Sequence, residues 1–382
     1  MRSSEPLRRI RAALRGLLCG AMLALVVPAA LAHKSSDAYL QLDSSPAGLE
    51  LRLDIALRDL DAALDLDADA DGRLTWGEVK AGWPAIDAYV ASRLRVEGCA
   101  LATAARALER RSDGAYAALS LHSDCQLAGA PQISYRLFGD IDPTHRGIAR
   151  MRQAGEAVQV QVLDPTRAAA PSASPTPVAR ERFAFVREGI HHIVTGYDHL
   201  LFLLCLLLPA VMRRTPEGWA PVERLSQAVL PVLGIVTAFT LAHSLTLGLA
   251  ATGLVSLPSR FIEPAIALTI VLAAIDNVRP LFGRRRGWVT FAFGLVHGFG
   301  FAGVLGELDL PTREFAWALL QFNLGLEAGQ ALIVLGVTGL LYGLRRHRHY
   351  PAWAIRGGSY AAMAMGMLWL IERTAGLKLL PF

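Results

Sequence analysis

The sequence predicts an α-helical membrane domain of six transmembrane helices, preceded by a small, mostly-β exported domain with an EF-hand-like helical insertion. Three observations predict it. The second half of the chain holds six apolar segments, each near the ~20 residues that cross a bilayer. Residues 1–32 read as a secretory leader. Between the two lie runs of alternating apolar and polar residues, interrupted by the acidic stretch DADADGRLTWGE.

The leader comes first. A chain of 382 residues that is 53% hydrophobic, with a mean hydropathy of +0.36, is too apolar for an ordinary soluble protein. Its formal charge of +5 is concentrated at the start, where Arg2, Arg8, Arg9, Arg11 and Arg15 stand against Glu5 alone. The remainder is close to neutral, so the charge gives no footing for nucleic acid. Behind the arginines runs LLCGAMLALVVPAALA, ending in the small-x-small pattern Ala30-Leu31-Ala32. This is the layout of a cleavable signal peptide, and the rival is an uncleaved anchor. Cleavage after Ala32 leaves His33 as the mature terminus, on the export side. Cys99 and Cys125 then fall in an oxidising compartment and are expected to pair as a disulfide, while Cys19 leaves with the leader and Cys205 lies in an apolar run.

Residues 33–165 form the expected exported domain. Leu49, Leu51, Leu53 and Ile55 alternate with polar neighbours, the period of a half-buried strand, and SSPAG before them reads as a turn. AYAALSL, QISYRLF and AVQVQVL also read as strands, which suggests a sandwich-like arrangement. The insertion fits the loop template D-x-[DN]-x-[DN]-G-x5-E at every position. Asp67, Asp69 and Asp71 take the first three ligand positions, Gly72 the sharp turn, Arg73 a backbone-carbonyl position, Thr75 the ninth position and Glu78 the bidentate twelfth. Three aspartates this close repel unless a cation sits among them, and the set points to Ca²⁺. Leu57, Leu60 and Leu64 give an entering helix one apolar face, and Pro84 is expected to cut the exit helix short. A single such loop in a calcium-rich compartment reads as a structural brace rather than a switch. The alternative is an acidic, solvated turn.

Residues 166–182, rich in proline, alanine and serine, read as a linker to the membrane domain at 183–382. Its six segments run roughly 188–212, 225–250, 261–281, 288–306, 315–343 and 354–374. Loops alternate in arginine content. Arg213, Arg214 and Arg224 lie on one side, with Arg279, Arg284, Arg285, Arg286, Arg345, Arg346, Arg348 and Arg356; the other side has only Arg260 and Arg313. The positive-inside rule puts the rich loops in the cytoplasm and the calcium-type loop outside, in a multi-pass protein of the inner cell membrane.

Ionisable groups inside membrane helices usually mark a path or a site. Here they are His192, Asp198 and His199 in the first segment, with His191 beside them, then His243, His297, Glu307 and Glu327. At ~1.5 Å per residue, His199, His243 and His297 reach similar depths, about 10–17 Å below the outer ends of their helices, and Glu327 is comparable. Imidazole and carboxylate together suit Ni²⁺, Zn²⁺, Cu²⁺ or Fe²⁺ better than Ca²⁺ or Mg²⁺. On a straight helix His192 and His199 stand ~10.5 Å apart along the axis and cannot share one ion. Either the helix opens at Gly196, or the two are successive stops on a path. For any one histidine the bland alternative is an interhelical hydrogen bond.

HHIVTGYDHLLFLL resembles the H-x5-D-H signature of the HupE/UreJ family of membrane metal permeases, with His192, Asp198 and His199 in the motif positions. GLVHGFGFAGVLGE resembles the family's later motif through His297, Gly298 and Glu307. The likeness runs from about residue 183 to the end. It implies a divalent-metal transporter, with nickel as the associated ion. Two departures are visible: an exported domain stands ahead of the membrane core, and Phe299 and Phe301 stand where a second histidine of the later motif would follow His297.

Three functions fit these residues. The first is a transporter or facilitator of a divalent transition metal, with the ion, the lipid bilayer and an exported metal donor as partners. No nucleotide-binding motif is present, so a gradient or a partner would drive it. The second is an intramembrane zinc hydrolase, with His199, His243 and His297 holding zinc and Asp198 or Glu327 activating water near Ser244. The third is a membrane anchor for a working exported domain.

Overall fold

The computed structural model describes residues 37–111, 114–127, 132–142, 144–153, 158–166, 183–255, 257–301 and 312–375. The expected leader, His33, nearly all of the linker and Glu307 lie outside them.

The N-terminal part is built on one mixed sheet. β1 (Asp37–Ser45) and β2 (Gly48–Ala56) form a hairpin. After it come α1 (Leu57–Leu64), α2 (Trp76–Arg93), the short β3 (Leu94–Val96), then β4 (Ala102–Arg111), β5 (Gly114–Ser123), β6 (Ile133–Tyr135), β7 (Arg146–Gln153) and β8 (Gln159–Leu163). The six-stranded order is β4-β5-β2-β1-β7-β8, with β1 and β7 parallel and the other neighbours antiparallel; β3 and β6 pair separately. Leu49, Leu51, Leu53 and Ile55 all point into the core, as their alternation requires.

Two expectations are corrected. The second layer of the domain is helical, not a second sheet: Leu57, Leu60, Val79, Trp83 and Ile86 cover the apolar face of the sheet. The exit helix does not stop at Pro84 but runs on to Arg93. A proline inside a helix costs ~3 kcal/mol. Burying Val79, Trp83, Ile86, Tyr89 and Val90 offsets that, since a large apolar side chain contributes ~1.5–3 kcal/mol on full burial. Cys99 and Cys125 form the expected disulfide, with Cα atoms 5.4 Å apart, tying the β3–β4 connection to the segment after β5.

The C-terminal part is helical: α3 (Ala184–Thr195), α4 (Tyr197–Leu207), α5 (Ser226–Ala251), α6 (Ser259–Val278), α7 (Arg286–Gly298), α8 (Thr312–Leu344) and α9 (Gly358–Ala375). A small hairpin, β9 (Met212–Thr215) and β10 (Gly218–Pro221), follows α4. Among the described residues α5, α6 and the 315–344 part of α8 are long and apolar enough to cross a membrane, and α3 with α4 makes a fourth span if the bent pair counts as one. α7, with 13 residues, is too short, and α9, with 18, is not apolar enough, so neither adds to that number. The apolar helices are those of a multi-pass membrane protein.

Glycines set how closely these helices meet. A Cβ on Gly189 of α3 would run into the Phe322 carbonyl of α8, and one on Gly325 of α8 into the Val186 carbonyl of α3. Gly294 and Gly298 let α7 approach the backbone of α5 at Phe239 and His243 in the same way. The N-terminal sheet touches α3 directly: Arg146 of β7 lies 3.7 Å from Asp164 and 3.8 Å from Glu188.

Candidate metal centre

The chain bends by 69° between α3 and α4, and Gly196 is the hinge. It has extended backbone angles, and a Cβ there would come within 2.7 Å of the His192 carbonyl and 3.0 Å of His199 Nδ1. The bend brings His192 at the end of α3 and His199 at the start of α4 to a ring separation of 4.9 Å. His243 of α5 lies 6.2 Å from His192 and 6.0 Å from His199, and His297 of α7 lies 5.0 Å from His199. Ligand atoms of His192, His199 and His243 fall within 4.8 Å of one another. His199, His243 and His297 are buried.

Hydrogen bonds select the nitrogen each ring turns inward. Asp198 Oδ1 accepts the backbone N–H of His199 at 2.8 Å and faces His199 Nδ1 at 3.0 Å. An ionised carboxylate only accepts, so Nδ1 carries the proton and the Nε2 lone pair is left over. Thr269 of α6 does the same for His297 by a less direct route. Its hydroxyl donates to the Ile266 carbonyl at 2.7 Å, so its oxygen accepts from His297 Nε2 at 2.8 Å, leaving Nδ1 with the lone pair. His199 Nε2, His297 Nδ1 and both nitrogens of His243 are buried and have no hydrogen-bond partner among the described residues. Leaving such atoms unsatisfied in an apolar setting costs ~1–3 kcal/mol each, which a coordinated cation would recover. Phe202 and Phe239 pack on His297, and Phe322 on His192, so the surroundings are apolar.

The other sequence candidates fall elsewhere. Glu327 accepts a hydrogen bond from Thr237 of α5 and does not join the three converging imidazoles. Ser244 donates to Thr240 of its own helix at 2.6 Å. Thr269 was not legible in the sequence as a site residue: it is 28 positions from His297, and a lone threonine in an apolar helix carries no motif.

In the N-terminal domain Asp67, Asp69 and Asp71 bring carboxylate oxygens within 4.8 Å of one another. The loop is closed by its own backbone. Asp67 Oδ2 accepts from Gly72 N at 2.7 Å, and Asp71 Oδ1 from the amide of Arg73 at 2.7 Å. Gly72 has φ +76, a left-handed angle that favours glycine. Thr75 caps α2, and Glu78 Oε2 accepts from its amide and its hydroxyl, both at 2.7 Å. Those bonds hold the Glu78 carboxyl below its ordinary range.

A family model described as HupE / UreJ protein matches residues 170–373, more than half of the chain and all four converging histidines. No curated protein matches the chain.

Proposed function

The chain belongs to the HupE/UreJ family, which is associated with nickel/cobalt transport or accessory function, and from that premise we propose that it carries a divalent transition-metal ion, nickel or a similar ion, across the membrane along an intramembrane path of histidines. The observation that supports this best is the convergence of His192, His199 and His243, from three helical segments, to within 4.8 Å. His297 stands beside them. Imidazole nitrogens are borderline ligands, and they select Ni²⁺, Co²⁺, Zn²⁺, Cu²⁺ and Fe²⁺ over Ca²⁺ and Mg²⁺. Asp198 supplies the compensating negative charge and fixes the His199 tautomer, the usual outer partner of a metal-bound histidine. Two nitrogens on one tetrahedral ion stand ~3.3 Å apart, given bonds of ~2.0–2.1 Å.

On this reading the chain crosses the inner membrane six times and its N-terminal domain lies outside the cytoplasm. Glu327 extends the path beyond the four rings, and Glu307 is assigned to it from the sequence motif alone. The loop at Asp67, Asp69, Asp71, Arg73, Thr75 and Glu78 binds Ca²⁺ and braces the exported domain, and the contact of that domain with α3 through Arg146 and Glu188 supports a position over the outer end of the path. An exported metal donor could dock there.

Uptake into proteoliposomes tests the proposal. Ni²⁺, Co²⁺, Zn²⁺, Cu²⁺ and Fe²⁺ would be offered to the intact chain and to His199→Ala. Uptake of one ion, lost in the variant, supports transport and names the cargo. No uptake of any ion, with one zinc retained per chain through purification, would sink transport and favour a zinc-dependent intramembrane hydrolase.

A further inference from the structure

Where α4 ends and α5 begins, at the opposite end of α4 from His199, the structure has a half-open cleft of about 220 Å³. Most of its wall is apolar: Leu206, Ala228, Pro231, Val232 and Ile235 line it, and the β9–β10 hairpin closes one side through Met212. The exceptions are Gln227 and two guanidinium groups, Arg213 and Arg286.

The charges there do not cancel. Arg286 faces Asp276 Oδ2 at 3.5 Å and donates to Asn277 Oδ1 at 3.0 Å. The second oxygen of Asp276 is taken by the amides of Leu281 and Phe282, both at 2.9 Å. Arg214 donates to the Asn277 carbonyl at 2.6 Å. One carboxylate therefore answers Arg286, while Arg213 stays exposed and makes no ion pair among the described residues.

We propose that this cavity binds one anionic phospholipid, its phosphate on Arg213 and Arg286 and the start of an acyl chain along Val232 and Ile235. Each alternative uses half of the site. A free phosphate would meet the arginines and leave the apolar wall dry. An uncharged amphiphile would cover the wall and leave Arg213 without a counter-charge. A phospholipid satisfies both, and in a bilayer it is already at hand. The volume is below the ~300–1,000 Å³ of pockets that enclose a small molecule, and suits a headgroup with its first carbons.

The test is lipid retention by tag-free, full-length protein, purified from vesicles of equal phosphatidylglycerol and phosphatidylcholine and read by native mass spectrometry. The expected result is one phosphatidylglycerol per chain, unaffected by excess inorganic phosphate. Arg213→Gln, an exposed change that leaves the fold alone, should weaken retention roughly fivefold, the share one arginine near anionic lipid contributes. Ala228→Leu, which fills the cavity from a buried position, should abolish it. Equal retention of both lipids overturns the proposal, as does unchanged retention in Arg213→Gln. Displacement by phosphate would overturn it in favour of a simple anion site.

Discussion

The His192 and His199 rings lie 4.9 Å apart although seven residues separate them, because the chain turns 69° at Gly196 between them. A straight helix would put ~10.5 Å of axial rise between the two positions. The hinge therefore turns two separate histidines into neighbours, and α5 and α7 add His243 and His297 to the same space. A broken span at the centre of a binding site is also how polar backbone is tolerated at membrane depth, where it faces other protein groups rather than lipid.

Gly196→Ala should damage the site without touching a ligand. The added Cβ would press on the His192 carbonyl and on His199 Nδ1, so either the hinge straightens or His199 swings away from Asp198. Metal uptake in proteoliposomes should fall at least tenfold while circular dichroism keeps its helical signal. Unchanged uptake would show that the bend is not needed for transport.

Asp198→Asn keeps the shape and removes the charge. An asparagine can donate to Nδ1, which would move the ring proton to Nε2 and block the nitrogen facing the cluster. Changes in such outer partners typically cost 10–100-fold in metal affinity. Equilibrium dialysis with Ni²⁺ reads this directly, and Thr269→Val should act in the same direction through His297. Wild-type affinity in both variants would remove the tautomer argument.

Much of this was legible in the sequence, for physical reasons. The β2 alternation is a direct image of burial, and the alternate positions of Asp67, Asp69 and Asp71 before Gly72 announce the turn that brings their carboxylates together. The hinge was legible only as a condition, that the helix open at Gly196. Other features were hidden. β7 reads GIARMRQ, and its buried Arg150 spoils the apolar period. Its parallel pairing with β1 joins residues more than a hundred positions apart, which no local pattern announces. The sandwich expectation failed because an amphipathic helix can cover a sheet as well as a second sheet can. Pro84 misled because its local cost is outweighed by burial that only the tertiary structure shows.

Asp67→Ala should lower the thermal stability of the N-terminal domain in millimolar Ca²⁺ and leave the proposed Ni²⁺ binding at the membrane histidines intact. Asp67 accepts from Gly72 and Asp71 as well as offering a ligand oxygen, so some loss is expected even without the ion. The discriminating measurement is the melting shift caused by a calcium chelator, which should be several degrees in the wild type and absent in the variant. A wild type indifferent to the chelator would end the brace proposal.

Stability of the N-terminal domain should also depend on pH through His145. This side chain is fully buried, its ring facing the Tyr135 hydroxyl and packing edge-on against Phe138 at 4.6 Å. Burial, helped by the nearby charges of Arg146 and Arg58, pushes its pKa down from 6.5 to about 3. The folded state therefore holds His145 neutral while the unfolded chain protonates it below about 6.5. The contribution is present in full above that pH and is lost progressively as pH falls from about 6.5 towards 3, by at most ~1.4 kcal/mol per unit. Thermal melts of the full chain between pH 4 and 8 should show the N-terminal domain weakening across that window. His145→Gln, which cannot take up a proton, should be less stable than wild type at pH 8 and should lose less on acidification. Parallel pH profiles for the two proteins would show that other groups govern the acid response.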